Sequence, residues 1–453
     1  MEMKTTIKRS SALITAALFF FAIRVVATAA IFSLSHGREV SSDSRFYFYL
    51  SEHFFAVFTG ENLRGPDYDA AVLTNYGPLM GPFVGPPLSL VRRYVADFFA
   101  LRAFLVAWEA LGLGAAYLVL RRGRSFSAAG AYPLSGAYRR AFVVLAAALP
   151  LGWMSTAVWP QDEILLAPFV FFAFVAAIRD RPAAAALALV LGAWGSKYFA
   201  LAFAPAAWLT CRSRRRFLAW FALGTLPLVV YASYMKAAHG VLPFVAYDTG
   251  DVLRFTLSVF SLYGYTGSWW GFATSAPWLA VVSKVILVGA IIGVTARFYF
   301  RRRGGGARLE DDIRVWVAFA AALLLFNIMG QPEYLAWFAY LGPFVLVVLF
   351  RGRRLVVAAA GLVALVFAGW VWNVAAAVAT WSVSSAGDAR FAFAHDVTAS
   401  VGAGSVTAVE VGAATIYVAA LGYVMFAALR RPRQTRVDHV DFKPVAGLCS
   451  ARK

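Results

Sequence analysis

"WPQDEILLAPFVFFAFVAAIRDRPAAAALALVLGAWGSKYFALAFAPAAWLTCRSRRR", from Trp159 to Arg216, sets two apolar blocks between charged punctuation. Continuous apolar blocks of this kind read as bilayer helices. A membrane β-barrel would instead alternate along strands of about ten residues. The first block, 163–179, runs from the acidic turn "WPQDE" to "RDRP". The second, 183–211, has the length of one span, but a single span would place "RDRP" and "RSRRR" on opposite sides of the membrane. A break at "WGSKYF" makes two short helices, keeps both arginine clusters on one side and sets Lys197 on the other. The positive-inside rule favours the break.

The same pattern extends over the rest of the 453 residues. The chain is 61% hydrophobic and 14% charged, against roughly 25% charged for soluble domains. The net charge of +19 would point to nucleic acid in a soluble protein. Here the basic residues fall in short runs between apolar blocks: "RRGR" (121–124), "RSRRR" (212–216), "RRRGGGAR" (301–308), "RGRR" (351–354) and "RRPRQTR" (430–436). That is the signature of cytoplasmic loops, and it removes nucleic acid as a partner.

With the N-terminus inside, spans are expected at about 11–34, 97–120, 140–158, 163–179, the two halves of 183–211, 217–236, 276–297, 313–329, 335–350, 355–379 and 409–429. The fold class expected is therefore an all-α polytopic bundle of about twelve transmembrane helices. It forms a single domain over 1–429 with external segments at 35–96, 237–272 and 381–407 and a cytoplasmic basic tail at 430–453. Both termini are expected in the cytoplasm. The apolar run after Lys4, Lys8 and Arg9 reads as a retained helix, since no small-residue cleavage site follows it. Cys211 and Cys449 both lie beside basic clusters and suggest neither a disulfide nor a thiolate metal site.

This threading sorts the polar residues. The arginine clusters fall inside, while motifs mixing carboxylate, amide and aromatic residues fall outside: "SSDSRFYFY", "NYGPL", "WPQDE", "SKYF", "YDTGD" and "GQPEY". Polar groups at a membrane boundary that converge on one place are a candidate site. Asp43, followed by Arg45, Phe46, Tyr47 and Tyr49, has the character of a general base half-shielded by aromatics. The same "SSDS" also suits a helix N-cap. "WPQDE" sets Gln161, Asp162 and Glu163 at a turn, and an acidic first helical turn explains it equally well. Lys197 stands alone in uncharged sequence and calls for an anion, which a lipid phosphate or Asp162 would supply. "GQPEY" brings Gln331, Glu333 and Tyr334 to a helix start at Pro332. The aromatics of "YGYTGSWWGF" read chiefly as an interface belt. Arg24, Glu109 and Lys284 fall within spans, where snorkelling or pairing competes with a proton or ion path.

Taken in order, these motifs resemble the GT-C glycosyltransferases, polytopic enzymes that use polyprenyl-phosphate sugars. The likeness rests on Asp43 with Tyr47 and Tyr49 after the first helix, then "NYGPL", then "PQDEILLAPFVFFAF" as a Gln-Asn-Asp-like turn. It continues through "SKYFALAFAPAAWL" as a Lys-Tyr-Phe-Pro-like segment to "QPEYLAWFAYLGPF" as a Pro-Gln-Tyr-Leu-Leu-Trp-like one. It covers about 35–345 and is best to the bacterial α-mannosyltransferases of lipoglycan and phosphatidylinositol-mannoside synthesis. The resemblance implies an inverting transfer on the outer face of a bacterial plasma membrane, from a polyprenyl-phosphate sugar to a lipid-linked or cell-envelope glycan. Mannose is the sugar it implies, with arabinofuranose next. Asp43 would be the base, and Lys197, then Arg45 or His53, would cover the departing phosphate. Tyr47, Tyr49, Tyr76, Gln161, Asp162, Gln331, Glu333 and Tyr334 would contact sugar or acceptor.

Some members carry two acidic residues one apart in the first loop. Here only Asp43 stands in that place, while Asp67 and Asp69 have the spacing far downstream. No obligatory metal is therefore expected, although Mg²⁺ or Mn²⁺ would suit such carboxylates. Glu333 stands where the family pattern has Gln. A flippase or transporter for a lipid-linked sugar is the rival from another class, and a non-catalytic scaffold subunit the third.

Overall fold

A computed structural model describes residues 2–35, 37, 44–59, 76–122, 136–240, 277–302, 309–326, 332–381 and 396–430. The architecture is all-α: α1 (Glu2–Leu34), α2 (Ser44–Leu50), α3 (Met80–Arg92), α4 (Asp97–Arg122), α5 (Gly136–Ala148), α6 (Glu163–Ile178), α7 (Pro182–Gly195), α8 (Ala204–Thr210), α9 (Arg214–His239), α10 (Pro277–Arg302), α11 (Leu309–Phe326), α12 (Leu341–Leu349), α13 (Gly352–Trp381) and α14 (Ala403–Leu429). Beyond Ala148, α5 carries on through Pro150–Trp153 into a π-helical turn, Met154–Val158. Two 3₁₀ segments, Tyr198–Phe203 and Pro332–Phe338, precede α8 and α12. The segment 35–96, expected as an external loop, is helical over much of its described length, and 381–407 contains helical residues at 396–401 and the start of α14.

The expected count of about twelve spans is not met. Among the described residues six helices are long and apolar enough to cross a membrane: 14–34, 97–121, 136–158, 214–239, 352–376 and 403–429. A seventh span arises if Pro332–Phe338 and Leu341–Leu349, bent by 63° at their junction, count as one. The reason is length and charge. α6 and α7 have 16 and 14 residues, about 24 and 21 Å, against a hydrocarbon core of about 30 Å. The 18 residues of α11 open with Glu310, Asp311 and Asp312. The hydropathy blocks are present, but several are helices buried within the bundle. α6 is the clearest case, being buried nearly all round, as an apolar helix without a polar face must be.

The break expected at "WGSKYF" is seen. α7 ends at Gly195, Ser196 and Lys197 are non-helical, and the chain resumes as Tyr198–Phe203 and then α8. This break defines two ends of the bundle. At one end, the α6–α7 turn puts Asp180 in the left-handed region (φ 51°), which Asp tolerates better than most residues. Its carboxylate accepts bonds from the backbone N–H groups of Arg212 and Ser213, both at 2.9 Å. Arg302, closing α10, bonds the Leu209 carbonyl and the Asp312 carboxylate. Arg301 pairs with Asp311 at 2.9 Å, and Arg314 donates to the Arg430 carbonyl at 3.2 Å. The described arginines Arg212, Arg301, Arg302 and Arg430 thus gather at one end. The opposite end, reached by running along α7, holds the N-terminus of α6, Lys197, Pro332 and the start of α4. The C-terminal turn of α1 belongs there too, since Phe32 packs on Phe98 and Phe99.

Candidate functional site

At that second end the site is built from backbone first. Lys197 and Tyr76 form an isolated antiparallel bridge. The Gly77 N–H donates to the Ser196 carbonyl (2.7 Å) and the Leu79 N–H to the Trp194 carbonyl (2.9 Å). Gly77 is required there, because a Cβ would collide with the carbonyls of Ala193 and Trp194. "NYGPL" and "WGSKYF" are therefore clamped together, and the clamp aims the lysine.

Lys197 is 8% exposed, and its ammonium meets Asp162 at 3.0 Å and also pairs with Glu163. It lies 5.2 Å from the Tyr76 ring centroid and 5.8 Å from that of Tyr334, distances suited to cation–π attraction. Tyr76 stacks on Phe46 at 4.5 Å, and Tyr334 on Trp337 at 4.5 Å. The Asp162 N–H donates to the Tyr47 hydroxyl at 2.9 Å, which docks α2 onto the α6 N-terminus. The buried Gln161 precedes it, its N–H held by the Ser155 carbonyl at 2.9 Å. Glu333, also buried, is within electrostatic reach of Glu163. Tyr47, Tyr76, Gln161, Asp162, Lys197, Glu333 and Tyr334 are thus brought to one end of the bundle, most of them around a single ammonium.

Other expected residues stand apart. His53 is exposed, and its ring stacks on that of Tyr49 at 4.4 Å. Arg92 fastens this segment, bonding Ser51 Oγ (2.5 Å), Glu52 (2.9 Å) and Asp97 (2.8 Å). Asp43, Gln331 and the side chain of Arg45 lie outside the described residues, and so does "YGYTGSWWGF". Glu163 is the residue that sequence reasoning missed. An acidic first helical turn accounts for it in the sequence, yet it is buried and paired with Lys197. The available signal was energetic: one buried ammonium needs more than one good acceptor.

Among the described residues the cluster holds three carboxyl groups against one ammonium. Both Asp162 side-chain oxygens and Glu163 Oε2 lack a hydrogen-bond partner among the described residues, though Asp162 keeps its ionic contact with the lysine. Unbalanced buried acceptors are costly, and a proton or hydrogen-bond donors on a ligand would offset that cost. Among the described residues no group of three His, Cys, Asp or Glu side chains is arranged to hold a metal ion.

A second buried charge pair serves a different end. Arg24 of α1 meets Glu109 of α4 through Nε and Nη2, with Nε at 2.9 Å from Oε2. Its Nη1 donates to the carbonyls of Phe20 and Ala147, each at 3.0 Å. Thr156, in the π turn, donates to Glu109 Oε2 at 3.1 Å, and Arg102 donates to the Ala157 carbonyl of the same turn at 3.0 Å. Arg24 and Glu109 are therefore partners between helices, while Lys284 is exposed on α10. No protein-family model matches this chain, and no curated protein matches it. What bears on function is the chemistry of the Lys197 cluster itself.

Proposed function

We propose that the chain is a GT-C-type membrane glycosyltransferase. In this reading it moves one sugar, mannose before arabinofuranose, from a polyprenyl phosphate to a glycan or glycolipid hydroxyl. The observation that carries the reading is the meeting of "SRFYFY", "NYGPL", "WPQDE", "SKYF" and "PEYLAW" around one buried lysine. Segments so far apart in sequence, and so rich in carboxylates and aromatics, suit recognition of a polar ring held against an apolar tail. The arginine-rich end is cytoplasmic by the positive-inside rule, which turns the cluster to the outer face.

The acceptor oxygen bonds to the anomeric carbon as the bond from that carbon to the phosphate oxygen breaks. The bonding pair leaves with the phosphate, and the acceptor proton passes to Asp43, one residue before α2. An ammonium has three N–H donors. Glu163 accepts one and Asp162 stays in ionic contact, which leaves N–H capacity for the departing phosphate. The test is sugar transfer by purified protein from polyprenyl-phosphate mannose and arabinofuranose to an envelope glycolipid extract, with EDTA present, comparing wild type with Asp43→Asn. Transfer lost in a folded Asp43→Asn variant supports the base assignment. Absence of transfer from both donors by wild type would sink the reading.

One observation favours a second reading, a flippase for the same lipid-linked sugars. Two discontinuous helices flank the cluster, one broken at Ser196–Lys197 and one bent by 63° between Phe338 and Leu341. Transporters build midplane sites from such breaks. Flipping of the lipid in proteoliposomes, without transfer, would select it.

A further inference from the structure

The last two helices were not part of the sequence argument for a site, yet they bring a polar face to it. α13 and α14 pack along each other, and they meet the start of the Pro332–Phe338 segment at Gly369. A methyl group there would come within 2.8 Å of Pro332 Cβ and 3.1 Å of the Tyr417 ring. This close approach sets Tyr417, in the middle of α14, beside Glu333, whose carboxylate acts on it electrostatically. Tyr417 is 1% exposed, and its hydroxyl has no hydrogen-bond partner among the described residues. One turn from Gly369 along α13, Asn373 is also buried, and its amide nitrogen likewise lacks a partner.

Buried hydroxyl and amide donors are nearly always bonded, and polar side chains within a membrane bundle mark ligand paths by default. Next to Glu333 the unused hydroxyl makes a donor beside an acceptor. That pairing fits an alcohol, which donates one hydrogen bond and accepts another. Tyr334 stacked on Trp337 adds an aromatic surface on the same segment. We propose that Tyr417, with Glu333, reads one hydroxyl of the transferred sugar, making the last helix a specificity element of the site. This rests on the glycosyltransferase reading and names which helix recognises the sugar.

Tyr417→Phe removes only the hydroxyl, and losing an unbonded hydroxyl leaves the fold intact. Tyr423→Phe, on an exposed tyrosine of the same helix, is the control. The measurement is thermal unfolding of purified protein in nanodiscs titrated with polyprenyl-phosphate mannose and polyprenyl-phosphate arabinofuranose. Wild type and Tyr423→Phe should be stabilised at the same donor concentration, and Tyr417→Phe should need about tenfold more. Equal titrations of all proteins would overturn the role of Tyr417 while leaving the glycosyltransferase reading in place. No response of wild type to either donor would overturn that reading and this inference with it.

Discussion

Two of the buried charged clusters among the described residues differ in how completely each is satisfied. Around Arg24 the charges match one to one. The guanidinium bonds both Glu109 oxygens and two carbonyls, and Thr156 adds another donor. Around Lys197 the described acids outnumber the base, and among the described residues both Asp162 oxygens, in ionic contact only, and Glu163 Oε2 are left without a hydrogen-bond partner. A closed network fixes helices in place, whereas an open one keeps bonding capacity for something that arrives. The comparison therefore assigns the first set to architecture and the second to ligand chemistry.

The largest effect should come from breaking the closed set. Glu109→Leu leaves Arg24 buried without its counter-ion and should cost about 3–5 kcal/mol, read as a lower unfolding midpoint in detergent. Adding Arg24→Met should restore most of that loss, because the pair is then replaced by apolar volume. A double variant no better than the single one would mean that Arg24 has a role beyond pairing.

Next in size is the clamp that aims Lys197. Gly77→Ala forces a methyl group against the carbonyls of Ala193 and Trp194. Overpacking of this kind costs about 1–3 kcal/mol, and here it also shifts the lysine. Stability and the proposed sugar transfer should fall together. Full transfer with a lowered midpoint would show that the lysine's placement is not what the site depends on.

The open set should answer a carboxylate deletion with the opposite sign. Glu163→Gln removes surplus negative charge while keeping shape and an acceptor, and the lysine retains Asp162. Stability should change by less than about 1 kcal/mol or rise, since no unpaired ion is created. Transfer is the property expected to suffer. A loss of stability as large as that of Glu109→Leu would make the two clusters alike and remove the reason for calling one a site.

How much of this could be read from the sequence follows from the same physics. The pairing of Lys197 with Asp162 was legible, because a lone boundary lysine needs an anion and few were on offer. The break at Ser196–Lys197 was legible from the charge clusters on either side of it. The count of spans was not, because hydropathy registers burial and does not distinguish lipid from protein. α6 is as apolar as any span but is wrapped by other helices. Tyr417 was hidden for a related reason: a tyrosine in an apolar run reads as packing until its neighbours in space are known. The link between Tyr47 and Asp162 depends on a fold back over more than a hundred residues, and no local pattern carries that.

The smallest effect tests whether burial alone makes a titratable group functional. Cys211 follows α8 at the arginine-rich end, where a nearby guanidinium would ordinarily favour a thiolate. Burial wins instead, aided by the charges of Asp180 and Asp312, and pushes the thiol up to about 12. At pH 8 the folded protein should resist iodoacetamide at this position, reacting roughly a thousandfold more slowly than a free thiol, as read by peptide mass spectrometry. The same shift sets the sign of a stability change. The folded value lies above the unfolded one of about 8.5, so the thiol's contribution is fully present below that pH and is lost as pH rises towards about 12. Cys211→Ser should flatten the alkaline slope without altering transfer at neutral pH. Fast alkylation of the folded wild type would place Cys211 among reactive groups, and the arginine-rich end would then need a chemical role of its own.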